Sequence, residues 1–289
     1  MTILHMQAFS SALCSIYQRP SQKFAEYQIK NYIYQNRSMP YFSRIFFYLL
    51  TGAAVFSSTR PFAQSTAVDS SRRAAAIHST AREYQRFIST AAPLYSGPQY
   101  VEYYQQINEG HPFFLNIDFN TGSVRYDNIL YEKVPLKYDI IQNKIVLLNA
   151  SGVFRLSPSN DRIDYFTILN HTFIKIEKDS SRPSLPKSGF YEVLFGDQHL
   201  VLLRKETKSL QEDLNLWVTP RRYVESAIHF YIQKGNTYYA INRKTQVLDL
   251  FKDRKAELRQ FIRKNKLDFK RDTDNALVSI VTYYESLVK

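Results

Sequence analysis

The side chains able to do chemistry are few and widely spaced. Beyond residue 63 the histidines are His78, His111, His171, His199 and His229. No two stand four apart, and neither HExxH nor HxH occurs, so the spacing that puts two imidazoles on one zinc ion is missing. His171 and His199 fall in or beside turns and read as ordinary surface histidines. DTDN at 272–275 opens like a calcium loop but has no Gly at the sixth position and no Glu at the twelfth. The same residues suit a helix N-cap, which is the expectation here. No cofactor is expected.

Nucleophiles are equally poorly supported. There is no GxSxG elbow, no phosphate-binding GxxxxGK loop and no dinucleotide fingerprint. SLPK at 184–187 has the S-x-x-K spacing, but Pro186 opposes the helical turn that would bring Ser184 to Lys187. Glu132, Asp139, Asp164 and Glu192 could pair as acid and base in a glycosidase. Location alone nominates them, and any β-rich domain would offer as many. Cys14, in SALC, follows Leu13 where a lipoprotein box wants a small residue. The remaining chain has no cysteine, which excludes a disulfide framework, a thiolate nucleophile and a Cys-based zinc site. The 22 Tyr and 20 Phe leave two readings, a sheet core or an exposed row that holds sugar or peptide. Tyr126, Tyr131 and Tyr138 form one such row, and Tyr131 is the candidate ligand contact.

The elements that would position these residues follow from periodicity. Residues 68–90 repeat apolar side chains every three or four positions and read as a helix, ended by Pro93 and Ser96-Gly97-Pro98. From His111 the period becomes two. In ILYEKVPLKYDI (129–140), Leu130, Val134, Leu136, Tyr138 and Ile140 share one face, and Tyr131, Lys133, Lys137 and Asp139 share the other. Pro135 there suggests an edge or a bulge. Further strands are read at 144–150, 153–158, 163–169, 171–177, 190–195, 199–205, 227–233 and 237–242. Turn residues separate them: Asn120-Thr121-Gly122, Asp127-Asn128, Asn170, Gly196-Asp197 and Gly235-Asn236. The stretch 180–189 is a long loop. Helices return at Thr245. The expected fold is α+β: mainly antiparallel β, as a meander, sandwich or open barrel, with C-terminal helices packed on it.

The net charge of +12 is uneven. From Arg204 to Arg271 there are 17 Lys/Arg against 8 Asp/Glu. Such a stretch is either the solvated face of lysine-rich helices or a surface that attracts lipid headgroups, acidic glycans or an acidic protein. Arg259, Arg263, Lys264 and Lys266 are its candidate binding residues. Nucleic acid suits the charge too, but an exported protein would rarely meet it.

Export is suggested by RIFFYLLTGAAVF (44–56), a basic residue ahead of about a dozen apolar ones, the length of a signal-peptide core. A spanning helix needs roughly 20. Residues 39–67 read as a signal peptide, cut after Ala63 or, with Ser65 at the −3 position, after Ala67; a retained anchor and a core helix are the alternatives. Met39 would then be the start, and 1–38 either an upstream extension or a true leader. The remaining division is 68–110 helix and linker, 111–242 β domain, and 243–289 basic helical tail.

GHPFF (110–114), GSVRYDNILYEKVPLKYDII (122–141), GFYEVLFGD (189–197) and the tail from Lys252 to Leu287 resemble uncharacterised exported proteins of Bacteroidota. That resemblance implies export and one β-rich unit with a helical tail, and carries no functional residues. The expectation is an exported protein of the periplasm or outer envelope. It would be a non-enzymatic binding module whose basic C-terminal surface meets an anionic membrane, acidic glycan or envelope protein. The alternatives are a glycan or peptide hydrolase with a composite site beneath the 180–189 loop, and a structural subunit of an envelope complex.

Overall fold

The computed structural model describes residues 92–103, 106–149, 151–177, 187–197, 199–213 and 220–288. The signal stretch with Ala63 and Ala67, the helix read at 68–90, Cys14, His78, Ser184 and most of the 180–189 loop lie outside them. Ten strands form one antiparallel sheet: β1 (Asn120–Tyr126), β2 (Ile129–Asp139), β3 (Lys144–Leu148), β4 (Arg155–Leu156), β5 (Ile163–Ile168), β6 (His171–Ile176), β7 (Gly189–Gly196), β8 (Leu200–Asp213), β9 (Arg221–Lys234) and β10 (Thr237–Ile241). Their order is β10-β9-β8-β7-β6-β5-β1-β2-β3-β4. Two meanders therefore run outward in opposite directions from the β1–β5 pair. Three helices follow: α1 (Lys244–Leu250), α2 (Lys255–Lys264) and α3 (Thr273–Val288). This is the expected α+β architecture, an open sheet with helices packed on it.

Local chemistry sets the turns. Asp127 and Asn128 both take positive φ, 49° and 65°, between the paired Tyr126 and Ile129. That is the primed two-residue turn whose twist matches its strands. Gly235, at φ 60°, opens the two-residue turn between Lys234 and Thr237. The residues Asn120-Thr121-Gly122, expected as a turn, instead begin β1, because Gly122 admits a close backbone approach. A Cβ on Gly122 would lie 1.9 Å from the Thr167 carbonyl oxygen.

The faces of β2 also differ from the expectation. Gly122 pairs with Val134 but Ser123 pairs with Glu132, so Lys133 is an extra residue, at φ 56°. A bulge of one residue reverses the alternation. Tyr131 thereby joins Val134, Leu136 and Tyr138 on the buried side, at 5% exposure. It packs in the core with Tyr126, Phe114, Phe166, Phe173 and Phe190, so the outward-facing Tyr131 read from simple alternation is corrected. The phenyl rings of Phe166 and Phe173 stack at 4.8 Å, and Phe114 meets Phe173 edge-on at 4.9 Å.

A second cluster joins sheet to helices. Leu200, Leu202, Phe230, Ile232 and Ile241 meet Val247, Leu248, Phe251, Leu258, Ile262, Leu277, Ile280 and Val281. Burying each such side chain contributes about 1.5–3 kcal/mol, so the helical tail is part of the folded unit. Alternate strand positions form a third cluster, with Tyr165, Ile174, Tyr191, Leu203 and Tyr238. Asp272 caps α3 as expected, its Oδ1 accepting from the Asn275 N–H at 3.2 Å.

The strands β8 and β9 are longer than their apolar runs. They pair over 14 residues each, from Leu200–Lys234 to Asp213–Arg221. The outer part carries little apolar burial. The chain from Asn108 to Phe113 straps it to the rest. Val224 donates to the Glu109 carbonyl at 3.0 Å, and Lys208 Nζ donates to the carbonyls of His111 and Phe113 at 3.2 and 2.6 Å. The GHPFF motif is that strap. Phe114 N–H donates to Tyr138 O at 2.8 Å, and the Phe113 ring lies 3.9 Å beneath Lys137 Nζ.

Candidate functional site

Two arrangements of charge stand out, one buried and one exposed. The buried one centres on Glu192 of β7, 3% exposed. Its carboxylate accepts from His171 Nδ1 at 2.6 Å and from Arg204 Nη1 at 2.8 Å. Arg204 also reaches Glu206 at 3.4 Å and Asp274, at the start of α3, at 3.3 Å. Burial works to raise the Glu192 pKa, but the hydrogen bonds and charges of His171 and Arg204 outweigh it and hold the carboxyl below its usual range. His171 is thus a half-buried partner of Glu192 packed edge-on to Phe114 at 5.0 Å, which corrects its reading as an ordinary surface histidine. The chain of charges ties β6, β7, β8 and α3 together.

The other candidate carboxylates sit in separate surroundings. Asp139, fully buried, accepts from the hydroxyls of Tyr100 at 2.7 Å and Tyr103 at 2.9 Å, and from the Gln142 N–H at 2.9 Å. Burial, with the Asp139 charge beside them, pushes both phenols well above the usual range. Asp164 pairs with Arg125 at 3.2 Å, and Glu132 faces solvent. Each of the three buried or half-buried carboxylates is engaged by its own donors. Lys187, of the SLPK stretch, is exposed, and its carbonyl accepts from the Tyr191 hydroxyl at 2.5 Å. Among the described residues no group of three or more His, Cys, Asp or Glu could hold a metal ion. A shallow cleft of about 240 Å³ is lined by Gln99, Tyr100, Glu102, Val153 and Arg155.

The exposed arrangement is α2 and its C-terminal turn. Leu258 and Ile262 are buried against the sheet, which turns Arg259, Arg263 and Lys264 to solvent. Lys266, also exposed, follows the helix. Three neighbouring cations have carboxylate partners: Arg254 with Glu257 at 3.2 Å, Lys255 with Asp249 at 2.6 Å, and Arg271 with Asp268 at 3.8 Å. None of Arg259, Arg263, Lys264 and Lys266 has a carboxylate within 4.0 Å among the described residues. Arg263 and Lys264 in the last turn gain from the helix dipole.

Lys266 is the unusual member. Its N–H donates to the Arg263 carbonyl at 3.3 Å, and the Leu267 N–H donates to the Ile262 carbonyl at 3.1 Å. Those two bonds define the helix-ending motif whose left-handed residue is most often glycine. Here lysine holds it, at φ 50°, at a conformational cost of about 1 kcal/mol.

The four basic residues nominated from charge thus share one exposed helix and its cap, while Tyr131 is in the core. Sequence reasoning missed Arg204 as the hub of the buried network. Besides Glu206, its partners come from positions 12 and 70 residues away, and no local pattern carries that information. No protein-family model matches the chain, and neither curated proteins nor solved structures gave a match.

Proposed function

We propose that the protein is an exported, non-enzymatic binding module whose α2 face docks on an anionic partner at the cell envelope. One observation carries this reading. Arg259, Arg263, Lys264 and Lys266 are exposed, with no carboxylate within 4.0 Å among the described residues, and Lys266 occupies a backbone position that favours glycine. The apolar run at 44–56, with its small-residue exit, supports the address.

The experiment is co-sedimentation of the chain with phosphatidylglycerol vesicles and with phosphatidylcholine vesicles, alongside retention on immobilised polygalacturonate. At low ionic strength the chain is expected to bind the anionic supports and not the zwitterionic one. Raising salt from 20 to about 300 mM should release it, because exposed charges are screened beyond about one Debye length. Equal partition to both vesicle types, with no retention on polygalacturonate, contradicts the proposal.

A further inference from the structure

The third cluster is buried although no described element lies on it. Its residues share one face: Ile174 stands opposite Tyr165 on one side and Tyr191 on the other, and Leu203 stands opposite Val193 and Tyr231. The helices occupy the other face, where they meet Leu202 and Ile232. Yet Tyr165 and Leu203 expose nothing, and Ile174 and Tyr191 expose 1%. Neighbours within a sheet shield a side chain only from its flanks, so zero exposure needs a second layer. The buried area is a band. It runs from Leu130 of β2 through Tyr165 to Tyr238 of β10. Glu132, Pro135, Thr207 and Ala240, on the same face, are exposed around it. Lys205 flanks it, with Nζ donating to the Phe190 carbonyl at 2.8 Å and lying 4.8 Å over the Tyr191 ring. Five strand spacings separate β2 from β8, about 24 Å, and seven separate β2 from β10, about 34 Å.

We infer that residues 68–90 pack on this band as an amphipathic helix. At about 1.5 Å per residue such a helix is about 34 Å long, and its stripe from Ala74 through Ile77, Ala81 and Tyr84 to Ile88 covers about 21 Å. Arg72, Arg82, Glu83 and Arg86 fall on the opposite side, toward water. The point of entry agrees. The described chain begins at Ala92, and Ala92 and Leu94 are buried in the first cluster with Tyr131. Its neighbour along β2, Leu130, points to the other face and borders the band. The segment therefore reaches the band at its β2 end and runs toward β10, with Ile88 near Leu130, Ala74 near Leu203 and the helix start near Tyr238. Other stretches fit poorly. Residues 178–186 hold one large aliphatic side chain, Leu185, and 214–219 join β8 to β9 at the far end of their ribbon. Expected cleavage after Ala63 or Ala67 leaves 68–90 on the chain, and the contact is independent of the basic α2 face.

The test uses the full chain. By hydrogen exchange of the wild type, amides of 74–88 are expected to exchange at least about a hundred times slower than in an unstructured chain, at low and at tenfold higher protein concentration alike. In a Cys14→Ser background, Val201→Cys then reports on the band by maleimide labelling. Adding Ile77→Asp and Ile88→Asp should quicken that labelling at least about tenfold. A control thiol, Val247→Cys under the helices of the other face, should stay protected in the same background. If the Asp pair unfolds the chain and the control labels too, the wild-type exchange decides alone. Exchange of 74–88 at the unstructured rate overturns the inference. Slow exchange seen only at the higher concentration assigns the band to a second copy of the chain and overturns it too. So does unchanged Val201→Cys labelling in the Asp variant while the control is protected.

Discussion

Glu192 is buried against two partners, the His171 ring and the Arg204 guanidinium. Its removal takes from Arg204 its shortest carboxylate contact, leaving Glu206 and Asp274, so Glu192→Ala should cost about 2 kcal/mol at pH 7. The sign with pH follows from its lowered pKa. The contribution is complete above the unfolded carboxyl range, near pH 4.5, and is lost as pH falls through the lower folded value. Urea titrations of wild type and variant should therefore differ less at pH 3 than at pH 7. Lys205 behaves oppositely to a paired lysine. Its folded pKa is depressed, so burying it is unfavourable below about pH 8, and the cost fades as pH rises toward 10.5. Relative to Lys205→Met, the wild type should gain about 2 kcal/mol between pH 7 and pH 10. Neither residue was readable as special from the sequence. Each gets its environment from strands that pair across the sheet, and one-dimensional spacing does not record which side chains those pairings bring together.

At the scale of elements, the hairpins were legible because turn chemistry is local. Asp127-Asn128 and Gly235-Asn236 specify positive φ between two alternating runs, and both became two-residue turns. Two features were not legible. The bulge was legible only in part: Pro135 pointed to an edge or a bulge in this strand, but nothing marked Lys133 as the extra residue, and it reversed the faces assigned to Tyr131. The outer half of β8 and β9 lacks an apolar period, since its rungs face solvent and are held by cross-strand pairing and the 108–113 strap. The bulge should be essential as a residue and indifferent to its side chain. Lys133→Gly is expected to raise stability by about 0.5–1 kcal/mol, because glycine adopts the positive φ freely. Deletion of Lys133 should turn Tyr131 outward and cost more than 3 kcal/mol. Circular dichroism melts of the two variants distinguish these outcomes. For the α2 cap, Lys266→Gly should likewise gain about 0.5–1 kcal/mol while weakening binding to anionic vesicles, so stability and binding move in opposite directions.

The whole molecule divides its charge by depth. Buried ionic groups are joined across strands, as in His171–Glu192–Arg204–Asp274. Four of the surplus cations of the C-terminal third sit on α2 and its cap, exposed, and Arg243, Lys244, Lys252 and Lys270 are exposed beside them. That asymmetry was legible in the sequence, since net charge sums over residues without knowledge of pairing. The placing of that charge on lysine-rich helices was legible only in part, because Arg204 to Lys234 lies largely in the β8–β9 ribbon. The α+β architecture was legible as well, since nine alternating runs followed by helical periods leave few other ways to bury one face of each element. The central claim is that the exposed cations of α2 are there to bind.

Its most direct test is a charge reversal at two positions that touch no core residue. Wild type and the double variant Arg259→Glu/Arg263→Glu are titrated with phosphatidylglycerol vesicles at 20 mM salt, with melting temperatures measured in parallel. Binding should fall at least tenfold in the variant, with a melting temperature within about 2 °C of wild type, as expected for exposed substitutions. Unchanged vesicle affinity in the folded double variant would contradict the account.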